Sequence, residues 1–186
     1  MANTNIFKKH LTIFAKKSKK LVIHRVNDIY YICDGYTMLK IPAIHYEVYA
    51  RPVSSVFIPL ENDQSADRSA GELLPKICAP SYNAANIFES HKAEKPAIIT
   101  DLLHLGEGKK VMRFFTVDNE KVAIYNNDYI NAVLEYANSD KFMATSDRFP
   151  VLKWEDMGLD IGCLVMPINN AVALGNLAYV GGILKK

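Results

Sequence analysis

Apolar residues recur at helical spacing near the start of the chain and again past its middle; elsewhere they fall into short runs broken by turn formers. Phe7, Leu11 and Phe14 stand at i, i+4 and i+7, which predicts an amphipathic helix over 4–17 with Thr4 or Asn5 as its cap. Lys9, Lys16 and Lys20 fall on the opposite side of the same wheel. Three strand-like runs follow at 21–26, 29–33 and 36–41, with Asn27-Asp28 and Asp34-Gly35 between them as hairpin turns. Pro42 ends the third run, because proline has no amide hydrogen to give to a ladder. The middle is less regular. Runs 46–53 and 56–60 read as strands, 61–72 as an exposed polar loop, and 81–90 as a short helix. Strands are expected at 96–105, 110–117 and 121–125, turning at Gly106-Glu107-Gly108 and Asp118-Asn119. A second helix over 128–137 buries Ile130, Val133, Leu134 and Ala137, and strands near 141–145, 151–154 and 161–166 follow.

Both ends thus share an order: a helix, three short strands, and a last strand running into proline. Leu39-Lys40-Ile41-Pro42 stands in the first half where Leu164-Val165-Met166-Pro167 stands in the second. The order predicts an α+β fold from two pseudo-repeats, with two helices packed on a curved antiparallel sheet.

Two stretches carry a family resemblance. Asn126-Asn127-Asp128-Tyr129-Ile130 opens the second helix, and Cys163-Leu164-Val165-Met166-Pro167-Ile168 closes the last strand. In the first half, Ile29-Tyr30-Tyr31-Ile32-Cys33-Asp34-Gly35-Tyr36 makes a strand and tight turn. Together these resemble a domain of the bacterial DNA sliding clamp, the DNA polymerase III beta subunit family, over residues 5–168. The resemblance implies one clamp-like domain (1–168); past it, the apolar residues of 169–186 read as an extension that packs on its own domain or on a second copy. It also implies binding without catalysis, and a partner that is DNA or a DNA-processing protein such as a polymerase or nuclease. A ring of the family's six domains would need six copies of this chain. The family's last strand forms part of a pocket for polymerase peptides, and here Val165, Met166, Pro167 and Ile168 match it. Asn169 replaces the family's Arg, Thr37-Met38 replace its Arg-Leu, and Cys33 replaces its Thr. A phage or mobile-element relative is the expected setting.

Charge gives the resemblance a candidate surface. The net charge is +2, yet residues 1–27 hold Lys8, Lys9, Lys16, Lys17, Lys19, Lys20 and Arg25 with no acid, which leaves the remainder at −5. A basic element on an acidic body suits a polyanion, and these seven residues are the candidate nucleic-acid contacts; a merely solvated helix face accounts for them equally well. Tyr30, Tyr31 and Tyr36 could stack on bases. Strict alternation would place Tyr30 and Tyr36 on one face and Tyr31 on the other, so at least one set belongs to the core. The acids Asp128, Glu135, Asp140, Glu155, Asp156 and Asp160 support an alternative: an inhibitor of a host nuclease, an anti-CRISPR protein included, which competes for a positive groove.

Catalytic signatures are few. Gly106-Glu107-Gly108-Lys109 lacks the spacing of a phosphate loop, and Asp101 with His104 is short of a metal set. Neither an enzyme activity nor a cofactor is expected. Three cysteines without a C-x-x-C pair, no secretory h-region and no run of about 18 apolar residues lead to the expectation of a reduced cytoplasmic protein with no membrane association.

Overall fold

The computed structural model describes residues 5–80, 82–105, 111–118, 121–146 and 150–168. The expected extension at 169–186 and the Gly106-Glu107-Gly108 turn lie outside them. The fold is α+β, with antiparallel strand pairing. It divides into two compact units: residues 1–90 with 155–164, and 91–154 with 165–186.

In the first unit, helix α1 (Lys8–Lys16) precedes strands β1 (Leu21–Val26), β2 (Ile29–Cys33) and β3 (Thr37–Pro42). The hairpin turns fall where expected: Asn27 has φ 54° and Gly35 φ 88°. The second value suits glycine, which carries no Cβ to clash there. Helix α2 (Ala43–His45) runs into a π-helical turn at Tyr46–Ala50. The strands expected at 46–53 and 56–60 do not form. Tyr46 and Ala50 are both fully buried, a four-residue spacing that belongs to a helical turn, and the Tyr46 ring stacks on Tyr30 at 3.7 Å. Nor is 61–72 wholly loop: β4 (Ser65–Arg68) pairs antiparallel with β1, and β5 (Lys76–Cys78) with β4. Helix α3 is Ala84–Ser90. Strand order in this unit is β5-β4-β1-β2-β3-β11, where β11 is Ile161–Val165.

Register and alternation divide the side chains of this sheet into two layers. Ile23 lies opposite Ile32 and Ala66, and Ile32 opposite Leu39; all four are fully buried. Tyr30 and Arg68 share their face, the one that receives α1 and the π turn, as the Tyr30–Tyr46 stack and the Arg68 bonds to α1 show. Tyr31, His24 and Lys40 point to the other face, under α3: Tyr31 meets Phe88 at 6.0 Å, and the Ala84 amide donates to His24 Nδ1 at 3.3 Å. Tyr30 and Tyr31 are therefore both core, one on each side, while Tyr36 leaves the strand pattern at the turn.

The second unit holds β6 (Lys95–Leu105), β7 (Val111–Val117) and β8 (Lys121–Asn126) as an antiparallel meander, with β9 (Met143–Ala144) on the other edge of β6 and β10 (Leu152–Asp156) paired to β9. Helix α4 (Asn127–Val133) stops short of the expected 137. Its start is as read from the sequence: the Asn126 side chain accepts the Asp128 amide at 2.9 Å. Phe115 packs edge-on against Tyr125 and Phe142, and the Tyr125 hydroxyl donates to Pro150 O at 2.6 Å.

Candidate nucleic-acid interface

Helix α1 buries His10, Leu11, Ile13 and Phe14 and turns its lysines outward. Phe7, Leu11 and Phe14 are fully buried; removing each from water stabilises the fold by about 1.5–3 kcal/mol. No acid lies in the first turn, and Lys16 lies in the last, where a cation suits the negative end of the helix dipole. Lys8, Lys9, Lys16, Lys17, Lys19 and Lys20 are all exposed. The structure thus gathers six of the seven sequence candidates on one helix and the turn that follows it.

Arg25 is placed differently. It is half-buried, and its guanidinium donates to Leu60 O at 2.8 Å, to Asn27 O at 3.0 Å and to the Asp28 carboxylate at 3.4 Å. Those bonds hold the 58–64 segment against the β1–β2 turn, so this cation serves the fold.

What fixes the lysine face is absent from any charge count. Arg68, on β4, is 8% exposed. Its guanidinium donates to three carbonyls at the end of α1: Phe14 O and Ala15 O at 2.9 Å, and Ser18 O at 3.3 Å. The last carbonyls of a helix lack intrahelical partners, and a cation there satisfies both bonds and dipole. The helix is tied laterally by His10, whose Nε2 lies 3.1 Å from Thr37 Oγ1 while that hydroxyl donates to Leu164 O at 2.8 Å. The single hydroxyl hydrogen is spent on Leu164, so Nε2 carries the imidazole proton. Complete burial drives the His10 pKa down to about 3, and the ring is neutral. Ser18 Oγ reaches Asp34 Oδ2 at 2.8 Å, joining the turn after α1 to the β2–β3 turn.

The other candidates separate. Val165 is buried in β11, whereas Met166 is 40% exposed. Pro167 is half-buried; Ile168 packs against Met112, Phe114 and Ile124, and its amide donates to Ile124 O at 2.8 Å. Of the four, Met166 is exposed, Pro167 and Ile168 are partly buried and Val165 is buried. Among the six acids, Glu155 and Asp160 lie 3.6 Å and 2.8 Å from Lys40 Nζ, with Glu89 at 3.8 Å. Asp156 Oδ1 accepts the amides of Gly158 and Leu159. Asp128, Glu135 and Asp140 are exposed. The His104 side chain lies outside the described ones, and among the described residues no cluster of three or more metal-type ligands occurs. No helix among them is long and apolar enough to cross a membrane.

No family model matches the chain, and no curated protein does. Solved structures do. One is the DNA polymerase III subunit beta of Borrelia burgdorferi in complex with a natural product: 11% identity, TM-score 0.42, covering 89% of this chain and 62% of that one. Another is a provisionally named DNA polymerase III beta subunit from Eubacterium rectale: 9% identity, TM-score 0.40, covering 89% and 64%. The chain spans less than two thirds of the length of either.

Proposed function

We propose that this chain acts by binding, as a clamp-like module that holds nucleic acid electrostatically through the lysine face of α1 and the turn after it. The observation that carries this reading is the placement of Lys8, Lys9, Lys16, Lys17, Lys19 and Lys20 together in solvent on a helix whose opposite face and C-terminal end are pinned to the sheet. A row of lysines is a set of strongly hydrated point charges suited to phosphates, with no dependence on base sequence. The motif resemblance at Asn126 and at Pro167 points the same way. An inhibitor of a nuclease would need carboxylates on offer to a positive groove; of the six candidates Glu155, Asp156 and Asp160 are engaged within their own unit, and only Asp128, Glu135 and Asp140 are left to that reading.

Fluorescence anisotropy with a labelled duplex tests the proposal. If six lysines neutralise phosphates, affinity falls about a thousandfold between 50 and 200 mM salt. Replacing Lys9, Lys16 and Lys20 by Glu abolishes binding. Binding that survives the triple reversal, or that ignores salt, refutes it. Mass in solution, measured alongside, decides whether several copies assemble.

A further inference from the structure

Beside the lysines stands a side chain that a phosphate-only surface has no use for. Tyr36 is 65% exposed at the tip of the β2–β3 hairpin, whereas Tyr30 and Tyr31 are 1% and 5% exposed. The tip is held rigidly. Asp34 Oδ1 accepts the amides of Tyr36 at 2.9 Å and Thr37 at 3.0 Å, and Gly35 supplies the positive φ of the turn. The register that sets Val22 opposite Cys33 brings Leu21 level with Asp34, so the chain leading into β1, through Lys19 and Lys20, runs alongside this tip. One contact agrees with that placement: Ser18 Oγ bonds Asp34 Oδ2 at 2.8 Å. Tyr36 therefore sits at the C-terminal end of α1, on the flank where Lys17, Lys19 and Lys20 are exposed.

An aromatic ring on a basic surface matches a particular form of nucleic acid. In a duplex the bases are stacked on one another, and the outer surface offers phosphates. A single strand offers phosphates and free base faces together, and a surface that uses both combines cations with rings for the bases to stack on. We propose that Tyr36 and the neighbouring lysines form a binding surface for single-stranded nucleic acid, with Tyr36 stacking on an unpaired base. This rests on the reading that the lysine face binds nucleic acid, and deepens it by naming the form bound.

The test compares three labelled probes at one salt concentration: a thymine strand of about 12 nucleotides, within the span of one binding fold, an abasic strand with the same number of phosphates, and a blunt duplex. The wild type binds the thymine strand more tightly than the abasic one. Tyr36→Ala weakens thymine-strand binding by about 5- to 150-fold, the span expected for loss of one base–aromatic stack, and leaves abasic and duplex binding within a factor of two. Tyr36→Phe keeps the ring and keeps the affinity. The residue is exposed, so the variants fold, which circular dichroism checks. If Tyr36→Ala leaves thymine-strand binding unchanged, or weakens every probe equally, the stacking inference is overturned while the lysine face stands. If the wild type binds none of the probes, the inference and the reading beneath it both fall.

Discussion

Acid titration of His10 probes the attachment of the lysine face directly. The imidazole is fully buried between α1 and β3, stacked on Phe14 at 4.6 Å and bonded to Thr37. Its pKa is pushed down to about 3 in the folded chain, by burial, from 6.5 when the ring is free in water. The unfolded chain therefore binds a proton between these values that the folded chain refuses. Stability is full above pH 6.5 and is lost as pH falls toward 3, with a slope approaching about 1.4 kcal/mol per pH unit. Integrated from pH 6.5 to 5.0, above the range where carboxylates titrate, this one group removes about 1.7 kcal/mol. His24 adds a loss of the same sign, because burial lowers its pKa too. A His10→Gln variant keeps an amide donor for Thr37 and cannot titrate. Urea unfolding followed by circular dichroism at the two pH values gives the comparison. The wild type should lose about 1.7 kcal/mol more than the variant over that interval. Equal losses would show that His10 is protonated in the folded state, and the buried neutral ring would be wrong.

Two further outcomes follow from the same packing. Arg68→Met keeps most of the apolar stem but strips three carbonyls at the end of α1 of their donor, and should cost about 2–3 kcal/mol in thermal or urea unfolding; a cost below half a kcal/mol would mean water replaces it. Lys40→Met leaves Glu89, Glu155 and Asp160 facing one another beside Phe88. Burial pulls the Lys40 pKa down, but the Asp160 hydrogen bond and the surrounding charges pull harder and raise it overall. The variant should lose about 1–2 kcal/mol at pH 7, the exposed carboxylates being partly screened. Part of that loss should return at high salt, which screens the three carboxylates from one another, and a loss independent of salt would refute the charge argument.

How much of this was legible in the sequence depends on what carried each element. The Phe7, Leu11, Phe14 spacing and the Asn126 cap are local signals, and both helices form around them, but α1 begins at Lys8 rather than at residue 4, with Phe7 at its N-cap and no side-chain cap there, and α4 ends at Val133. The hairpins at Asn27 and Gly35 are equally local. Tyr46–Ala50 was misread because tyrosine and valine favour strands; the ring stack with Tyr30 and the burial of Ala50 decide for a helical turn, and neither shows in a hydropathy pattern. β4 was hidden for the opposite reason. Ser65-Ala66-Asp67-Arg68 has one apolar residue, and its strand is defined by pairing with β1 and by a buried arginine whose partners lie some fifty residues earlier. The candidate surface divides the same way. Six lysines stood out by charge alone, but Tyr36 was grouped with Tyr30 by an alternation that the Asp34-Gly35 turn interrupts.

The basic side chains divide according to what the fold does with them, and the division follows their chemistry. Arg68 and Arg25 each satisfy several carbonyls at once, which a planar guanidinium does with five donors in a fixed fork, losing less freedom per bond than an ammonium with three rotating donors. Lys40, a point charge, sits where three carboxylates converge. These cations are structural, and losing any one would leave acceptors or acids without compensation. The lysines of α1 and its turn are placed otherwise. Crowding like charges on one short element opposes folding through mutual repulsion. The sequence nevertheless keeps six of them there, on a helix held from beneath by Phe7, Leu11 and Phe14 and at its end by Arg68. A fold that spends a buried arginine to anchor such a helix, while leaving its lysines outside, presents charge on a rigid mount. Charge held on an anchored helix is the arrangement on which the proposed phosphate contacts rest, since such contacts set register and orientation rather than sequence.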